Sequence, residues 1–247
     1  MTAVEVEGKM GGAGIRAGVL AVLLLGIPAG CDVFDFTVDL QSQTFKLDFG
    51  QQSGTVPAVP CDAAADVCGS TLAVNFDTSS MSGVPSDVEV ALGCDASSGQ
   101  CYAQANARAA QTVGVLQDDD FSSKVGRNGV AFVQEVNVGY TIPSNTLTFD
   151  IPQLDVYAGP AGSVRETDPG VALVGHTQPI AAGVTTTTQL HMAISDDAPA
   201  LPVIQHAIED KKDFVFIVVA SPRMDAGAAV PAGAVQIDVF PSIVVGL

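Results

Sequence analysis

Apolar and polar residues alternate with a period of two along most of this chain. Phe34, Phe36, Val38 and Leu40 share one face, and Asp35, Thr37 and Asp39 share the other. Phe45-Lys46-Leu47-Asp48-Phe49 repeats the pattern, and Val184, Thr186, Thr188, Leu190, Met192 and Ile194 extend it over a long segment. Successive side chains of a strand point to opposite faces, so this periodicity buries one side of a sheet and gives no continuous stripe on a helix.

The rest of the chain conforms. Leu72-Val74-Phe76 and Val88-Val90-Leu92 read as strands. Val136-Val138-Tyr140-Ile142 and Leu147-Phe149-Ile151 read as a hairpin turning at Pro143-Ser144-Asn145. Tyr102 to Leu116 fits either period, because its alanines alternate with Gln104, Asn106 and Arg108 yet also favour a helix; strand is preferred. The apolar parity shifts to Leu154 and Val156 after Pro152, as at an edge bulge, and a short strand follows over Val171 to Val174. Phe214 to Val219 is a continuous apolar run of buried-strand type, and Val235-Ile237-Val239, Pro241 and Ile243-Val245-Leu247 keep one parity to the end. A helix is expected from Asp197 to Lys212, capped by Asp196 or Asp197, with Leu201, Ile204 and Ile208 as its buried stripe. About ten short strands with one or two short helices imply an all-β fold, an antiparallel β-sandwich or Greek-key barrel. The acids agree, since 21 are Asp and 6 Glu, and Asp favours turns over helices.

The N-terminus has a different texture. Ala17 to Ile27 is apolar but only 11 residues long, the length of a signal-peptide core and short of the roughly 20 residues that span a bilayer. Small residues then lead through Pro28-Ala29-Gly30 to Cys31, and Asp-rich sequence follows. This arrangement resembles the lipobox of bacterial lipoprotein precursors. The resemblance implies a signal peptide over 1–30, cleavage before Cys31, a thiol carrying diacylglycerol, fatty acylation such as palmitate, and a mature single domain over 31–247. Initiation at Met10 would leave Arg16 and the amino terminus as the only n-region charges, which suits export better. The expected address is the cell envelope, anchored by lipid, with the outer membrane favoured over the inner; Asp32 resembles a retention signal that some bacteria read the other way.

Gly12-Ala13-Gly14-Ile15-Arg16-Ala17 matches the letters of a dinucleotide-binding turn, but no strand precedes it and a signal core follows. The chain carries 10 basic and 27 acidic residues, a net charge of −17, which repels nucleic acid.

Four cysteines remain beyond Cys31, in two C-x6-C units: Cys61-Asp-Ala-Ala-Ala-Asp-Val-Cys68 and Cys94-Asp-Ala-Ser-Ser-Gly-Gln-Cys101. In an oxidising compartment an even set reads as disulfides, and six intervening residues are too many for a zinc knuckle. Of three connectivities the local one, Cys61 with Cys68 and Cys94 with Cys101, is favoured, each pair clasping a hairpin and contributing about 2.5 kcal/mol by loop-closure entropy. The shared Cys-Asp-Ala marks a 33-residue offset between the units without wider alignment.

No catalytic constellation assembles. Asp118-Asp119-Asp120 lacks the alternating ligands of a calcium loop and reads as the cap and first turn of a short helix, with Phe121 and Val125 packing at i,i+4 and Asn128-Gly129 stopping it. Asp35, Asp39 and Asp48 keep strand faces soluble. His176, His191 and His206 show no ligand spacing, and no nucleophile elbow or phosphate loop occurs after residue 30. The expectation is a non-enzymatic, lipid-anchored structural or binding module, with no catalytic residue, metal or cofactor. Two alternatives stand beside it: a periplasmic carrier of lipid or another apolar ligand, whose helix at 197–212 covers a sandwich mouth, and an adhesin for carbohydrate or protein. The expected partners are a membrane through the N-terminal lipid and a protein, glycan or apolar ligand.

Overall fold

A computed structural model describes residues 35–50, 55–56, 58–62, 67–68, 88–125, 132–194 and 198–246. The signal segment, Cys31, the strand expected at 72–76, Asn128-Gly129 and the capping residues Asp196 and Asp197 lie outside them.

Two antiparallel sheets enclose one core. The first contains β1 (Asp35–Asp39), β2 (Gln43–Asp48), β7 (Phe132–Asn145), β10 (Thr186–His191) and β14 (Ala234–Gly246), in the order β1-β14-β7-β10 with β2 also on β14. The second contains β5 (Val88–Asp95), β6 (Gln100–Val113), β8 (Leu154–Pro160), β9 (Ala172–His176), β11 (Ala193–Ile194), β12 (Phe214–Ala220) and β13 (Arg223–Met224). Its order is β11-β9-β8-β12-β6-β13, with β5 on the opposite edge of β6, along residues 100–107. β3 (Cys61–Asp62) and β4 (Val67–Cys68) form a small ribbon, and α1 (Asp119–Lys124) and α2 (Leu201–Glu209) complete the elements. The all-β sandwich expected from periodicity is what the chain forms.

The alternation translates directly into burial. Val38, Phe45, Leu47, Tyr140, Val235, Ile237 and Val239 from the first sheet meet Ala103, Ala105, Val156, Phe214, Phe216 and Val218 from the second in one cluster. The interior is filled by side chains: Tyr140, Phe45, Phe49, Phe214 and Phe216 are all but fully buried. β12 lies between β6 and β8, so its outer face is buried as well, with Val215, Ile217 and Val219 against Ala110, Tyr157 and Val171. That explains its unbroken apolar run. Tyr102 to Val113 is strand, as preferred, because the small alanines alternate into the core between the sheets.

Three local readings need correction. The hairpin expected to turn at Pro143-Ser144-Asn145 does not exist; β7 runs straight through to Asn145. Gln236 pairs with Ser144 and Asp238 with Thr141, so Ile142 and Pro143 together face Ile237 across a bulge. The residue without an N–H therefore sits where the ladder is already interrupted. Pro241 is accommodated likewise, inside β14 but opposite the β1–β2 connection, where its carbonyl accepts from the Leu40 N–H at 2.9 Å. The second correction concerns 184–194, which is two strands in different sheets: His191 pairs with Gly139 of β7 and Ala193 with His176 of β9. The third is the helix, which is shorter than 197–212. Its N-cap is Ala200, with no side-chain cap, and Pro202 occupies its first turn.

Asp118 behaves as expected. One carboxylate oxygen accepts from the Phe121 N–H at 2.9 Å, capping α1, and the other accepts from the Gln41 N–H at 2.6 Å, tying the helix to the β1–β2 connection. Phe121 and Val125 are buried beneath it.

The disulfides also differ from expectation. Cys61 bonds to Cys94 and Cys68 to Cys101, with Cα separations of 5.6 and 5.7 Å, inside the usual range. In both hairpins the two cysteines of a unit do stand opposite each other, Cys61 by Cys68 and Cys94 by Cys101. The neighbouring hairpin decides the pairing. Cys61 N–H donates to the Gly99 carbonyl at 3.0 Å and Cys101 N–H to the Val59 carbonyl at 2.9 Å, laying the chain at 59–61 along 99–101. Each sulfur then reaches across between hairpins instead of along its own.

Candidate functional site

α2 packs on both β7 and β8 and so bridges the two sheets along one side of the sandwich. Ile204 and Ile208 point into the core, one helical turn apart. The helix stops in a Schellman turn: the Lys211 N–H donates to the Ile208 carbonyl at 3.0 Å and the Lys212 N–H to the Ala207 carbonyl at 2.7 Å. That turn requires a left-handed residue, and Lys211 supplies it at φ 56°, the one non-glycine at positive φ among the described residues.

With the inward positions fixed, the flanks of α2 border two hollows. On one side a cleft of about 710 Å³ lies between Val203, His206 and Ala207 of the helix, Gly159 to Ala161 at the end of β8, Leu116 after β6, and Phe214 at the start of β12. Its walls are chiefly apolar, and Leu116 is 52% exposed at its mouth. The rim is polar and internally matched. Lys212 Nζ meets Asp210 at 2.9 Å, the bond that holds the Asp210 carboxyl below its ordinary range, while Asp213 accepts from the Val115 N–H at 3.2 Å. His206 Nδ1 lies 2.6 Å from the Pro202 carbonyl and donates to it. With Asp210, Lys212, Asp213 and His206 already partnered, the cleft offers mainly apolar contact to a ligand.

The other hollow, about 370 Å³, is bordered by Gln134, Glu135, Asn137, His191, Leu201 and Gln205 among others. It is the more polar of the two, and its glutamine at 205 is spent on the Val133 carbonyl at 3.3 Å.

The densest charge constellation lies elsewhere, on the outer face of the seven-stranded sheet. Arg108, with its side chain only 10% exposed, makes a two-pronged contact to Glu166, Nε to Oε2 at 3.0 Å and Nη2 to Oε1 at 2.9 Å. Its Nη1 reaches Glu89 at 3.1 Å, and Glu89 also meets Arg165 at 2.7 Å. The hydrogen bond from Arg108 is the main cause that lowers the Glu89 carboxyl. Nearby, burial first and then Asp155 and Glu166 raise the Tyr157 phenol. Every charge in the cluster has an opposite partner, which suits a clasp: Glu166 and Arg165 hold the chain between β8 and β9 across Val215, Ile217 and Val219.

The residues singled out from sequence are not brought together. His176 bonds Asp155 at 2.7 Å on β8, His191 edges the polar hollow, and His206 caps its own helix turn. Asp48 serves the turn after β2, its carboxyl lowered chiefly by the Gly50 N–H. Among the described residues no three His, Cys, Asp or Glu are placed to hold a metal ion, and no helix is long and apolar enough to cross a membrane. The Arg108 clasp was missed because its members lie on two strands, β5 and β6, and on the distant loop between β8 and β9, with no sequence spacing to connect them. What the described residues define is a helix-bridged β-sandwich with an apolar surface cleft beside α2. No protein-family model matches the chain, and no curated protein is similar to it in sequence.

Proposed function

We propose that this protein is a lipid-anchored envelope binding module, tethered through acylated Cys31, that takes a small apolar ligand in the cleft beside α2. The cleft is the observation that carries the reading: its volume falls in the range of small-molecule sites, and Val203, Ala207, Leu116, Pro160 and Phe214 give it apolar walls. A ligand enclosed within the sandwich is disfavoured by the aromatic side chains that fill it, so the helix borders a surface site instead of capping an internal one. The anchor rests on the resemblance of Pro28-Ala29-Gly30-Cys31 to a lipobox.

The test uses the environment-sensitive probe N-phenyl-1-naphthylamine with the full chain. Fluorescence rises on binding, and Leu116→Asp and Val203→Asp, each placing a carboxylate at a partly exposed wall position, weaken binding about tenfold or more through the cost of bringing charge against an apolar ligand. Equal binding by the parent and both variants would move the ligand site away from α2.

A further inference from the structure

From the backbone pairing and the length of the tether, we infer that the end of the sandwich carrying Phe132 lies against the bilayer that holds Cys31. The inference rests on the acylation proposed above, and its occupant is a lipid surface, not a second protein.

Four residue steps separate Cys31 from Asp35, the first residue of β1, and even fully extended they span only about 14 Å. Asp35 pairs with Gly246, and Gly246 pairs with Phe132. These three residues therefore form a row across the end of the first sheet, with Phe132 two strand spacings, roughly 10 Å, from the point where the tether joins. Phe132 is 44% exposed and is the one aromatic among the large apolar side chains left exposed in the described residues; the others are Leu116, Val164 and Val184. An aromatic ring with nearly half its surface open is well placed at a membrane interface, where that apolar surface leaves water.

The opposite end of the sheet is out of reach. β7 runs from Phe132 to Asn145, on the order of 40 Å at the usual strand rise, and Asn145 Nδ2 donates to the Val184 carbonyl at 2.9 Å. Val184 is 55% exposed, so it marks the far end with a side chain as open as Phe132. The disulfide hairpins also sit away from the tether, since β2, β13 and the bridge between Thr55 and Ala229 all lead toward the start of β14 and β6. α2 belongs to the Phe132 end: Gln205 donates to the carbonyl of Val133, the next residue of β7. The apolar cleft beside α2 thus opens close to the lipid surface, where an apolar ligand is concentrated.

The chain contains no tryptophan, so Phe132→Trp and Val184→Trp each introduce a single tryptophan, whose emission is excited selectively over that of the tyrosines. The full chain is expressed in an exporting bacterium, extracted, and reconstituted into phosphatidylcholine vesicles with and without brominated acyl chains. The mass of the N-terminal peptide reads acylation of Cys31 in the same samples. The expected result is emission from Phe132→Trp that shifts to the blue and loses more than half its intensity to brominated lipid, with Val184→Trp unquenched. Acylated Cys31 with no quenching at Phe132→Trp overturns the membrane-facing end alone and leaves the anchor standing. Quenching at both positions overturns it too, because the body then lies flat. Unacylated Cys31 with no quenching removes the anchor and the orientation together.

Discussion

Crossed disulfides make a quantitative prediction that local ones do not. Both bonds close loops of 33 residues, Cys61–Cys94 and Cys68–Cys101, and the loops overlap. The first bond formed restricts the unfolded chain by about 3.7 kcal/mol on loop-closure entropy. The second then closes a much shorter ring, because the path from Cys68 to Cys101 now runs through the first bond, with seven residue steps on either side. A ring of that size contributes about 3 kcal/mol. Cys61→Ser/Cys94→Ser keeps an intact Cys68–Cys101 bond, so it should lose about 3 kcal/mol in urea unfolding and expose no additional reactive thiol. Cys61→Ser/Cys68→Ser removes one partner from each bond, leaving Cys94 and Cys101 reduced or strained together across β5 and β6, and costs more. Unfolding curves with thiol titration under denaturant separate the cases. Two free thiols in Cys61→Ser/Cys94→Ser, with none in Cys61→Ser/Cys68→Ser, would refute the crossed pairing and the stacking of hairpins that explains it.

Other consequences follow from single side chains. Lys211 holds a left-handed turn at φ 56°, so Lys211→Gly should stabilise the fold by about 1 kcal/mol in chemical denaturation, whereas Lys211→Val should destabilise it. Arg108→Ala leaves Glu166 and Glu89 facing a half-covered apolar strip; the loss should be about 2 kcal/mol, discounted from the deeply buried case because the carboxylates are partly exposed, and amide exchange at 163–168 should speed up. Asp95 is held at about 2, chiefly by the Ser97 hydroxyl, then by the Ser97 N–H, with Ser98 and Arg223 adding to it. A depressed carboxyl contributes stability above its unfolded value of 3.8 and loses that contribution as pH falls through about 2. Carbon-13 titration should therefore place Asp95 near 2, and Ser97→Ala should move it up toward 3.8, with no movement if the turn at 95–98 is not formed.

How far the sequence could be read follows from which interactions are local. Period-two alternation located β1, β2, β5 and β14, because a strand half-buried in a sandwich must show it; β6 fitted either period through its alanines, and β12, buried on both faces, showed as an unbroken apolar run instead. Asp118 was legible for the same reason, since an N-cap is settled within four residues. Failures occurred where a distant strand decides. Pro143 looked like a turn because prolines usually interrupt ladders, yet the bulge opposite Ile237 had already opened one. The strand switch at Met192 changes sheet without breaking apolar parity, so nothing in 184–194 announces it. The disulfide partners showed themselves only as a repeated Cys-Asp-Ala: the 33-residue offset between the two units is the separation closed by both bonds. The helix stripe of Ile204 and Ile208 was visible, but the cleft on its flank is built by Leu116, Pro160 and Phe214 from three other segments. No pattern within 197–212 contains it.

Native mass spectrometry of the protein gently extracted from membranes reads the anchor and the cleft together. The expected species is a chain beginning at Cys31 that carries acyl groups and a releasable apolar ligand, the ligand being absent or depleted in Leu116→Asp. A chain unmodified at Cys31 and free of bound ligand in both forms would contradict the proposal.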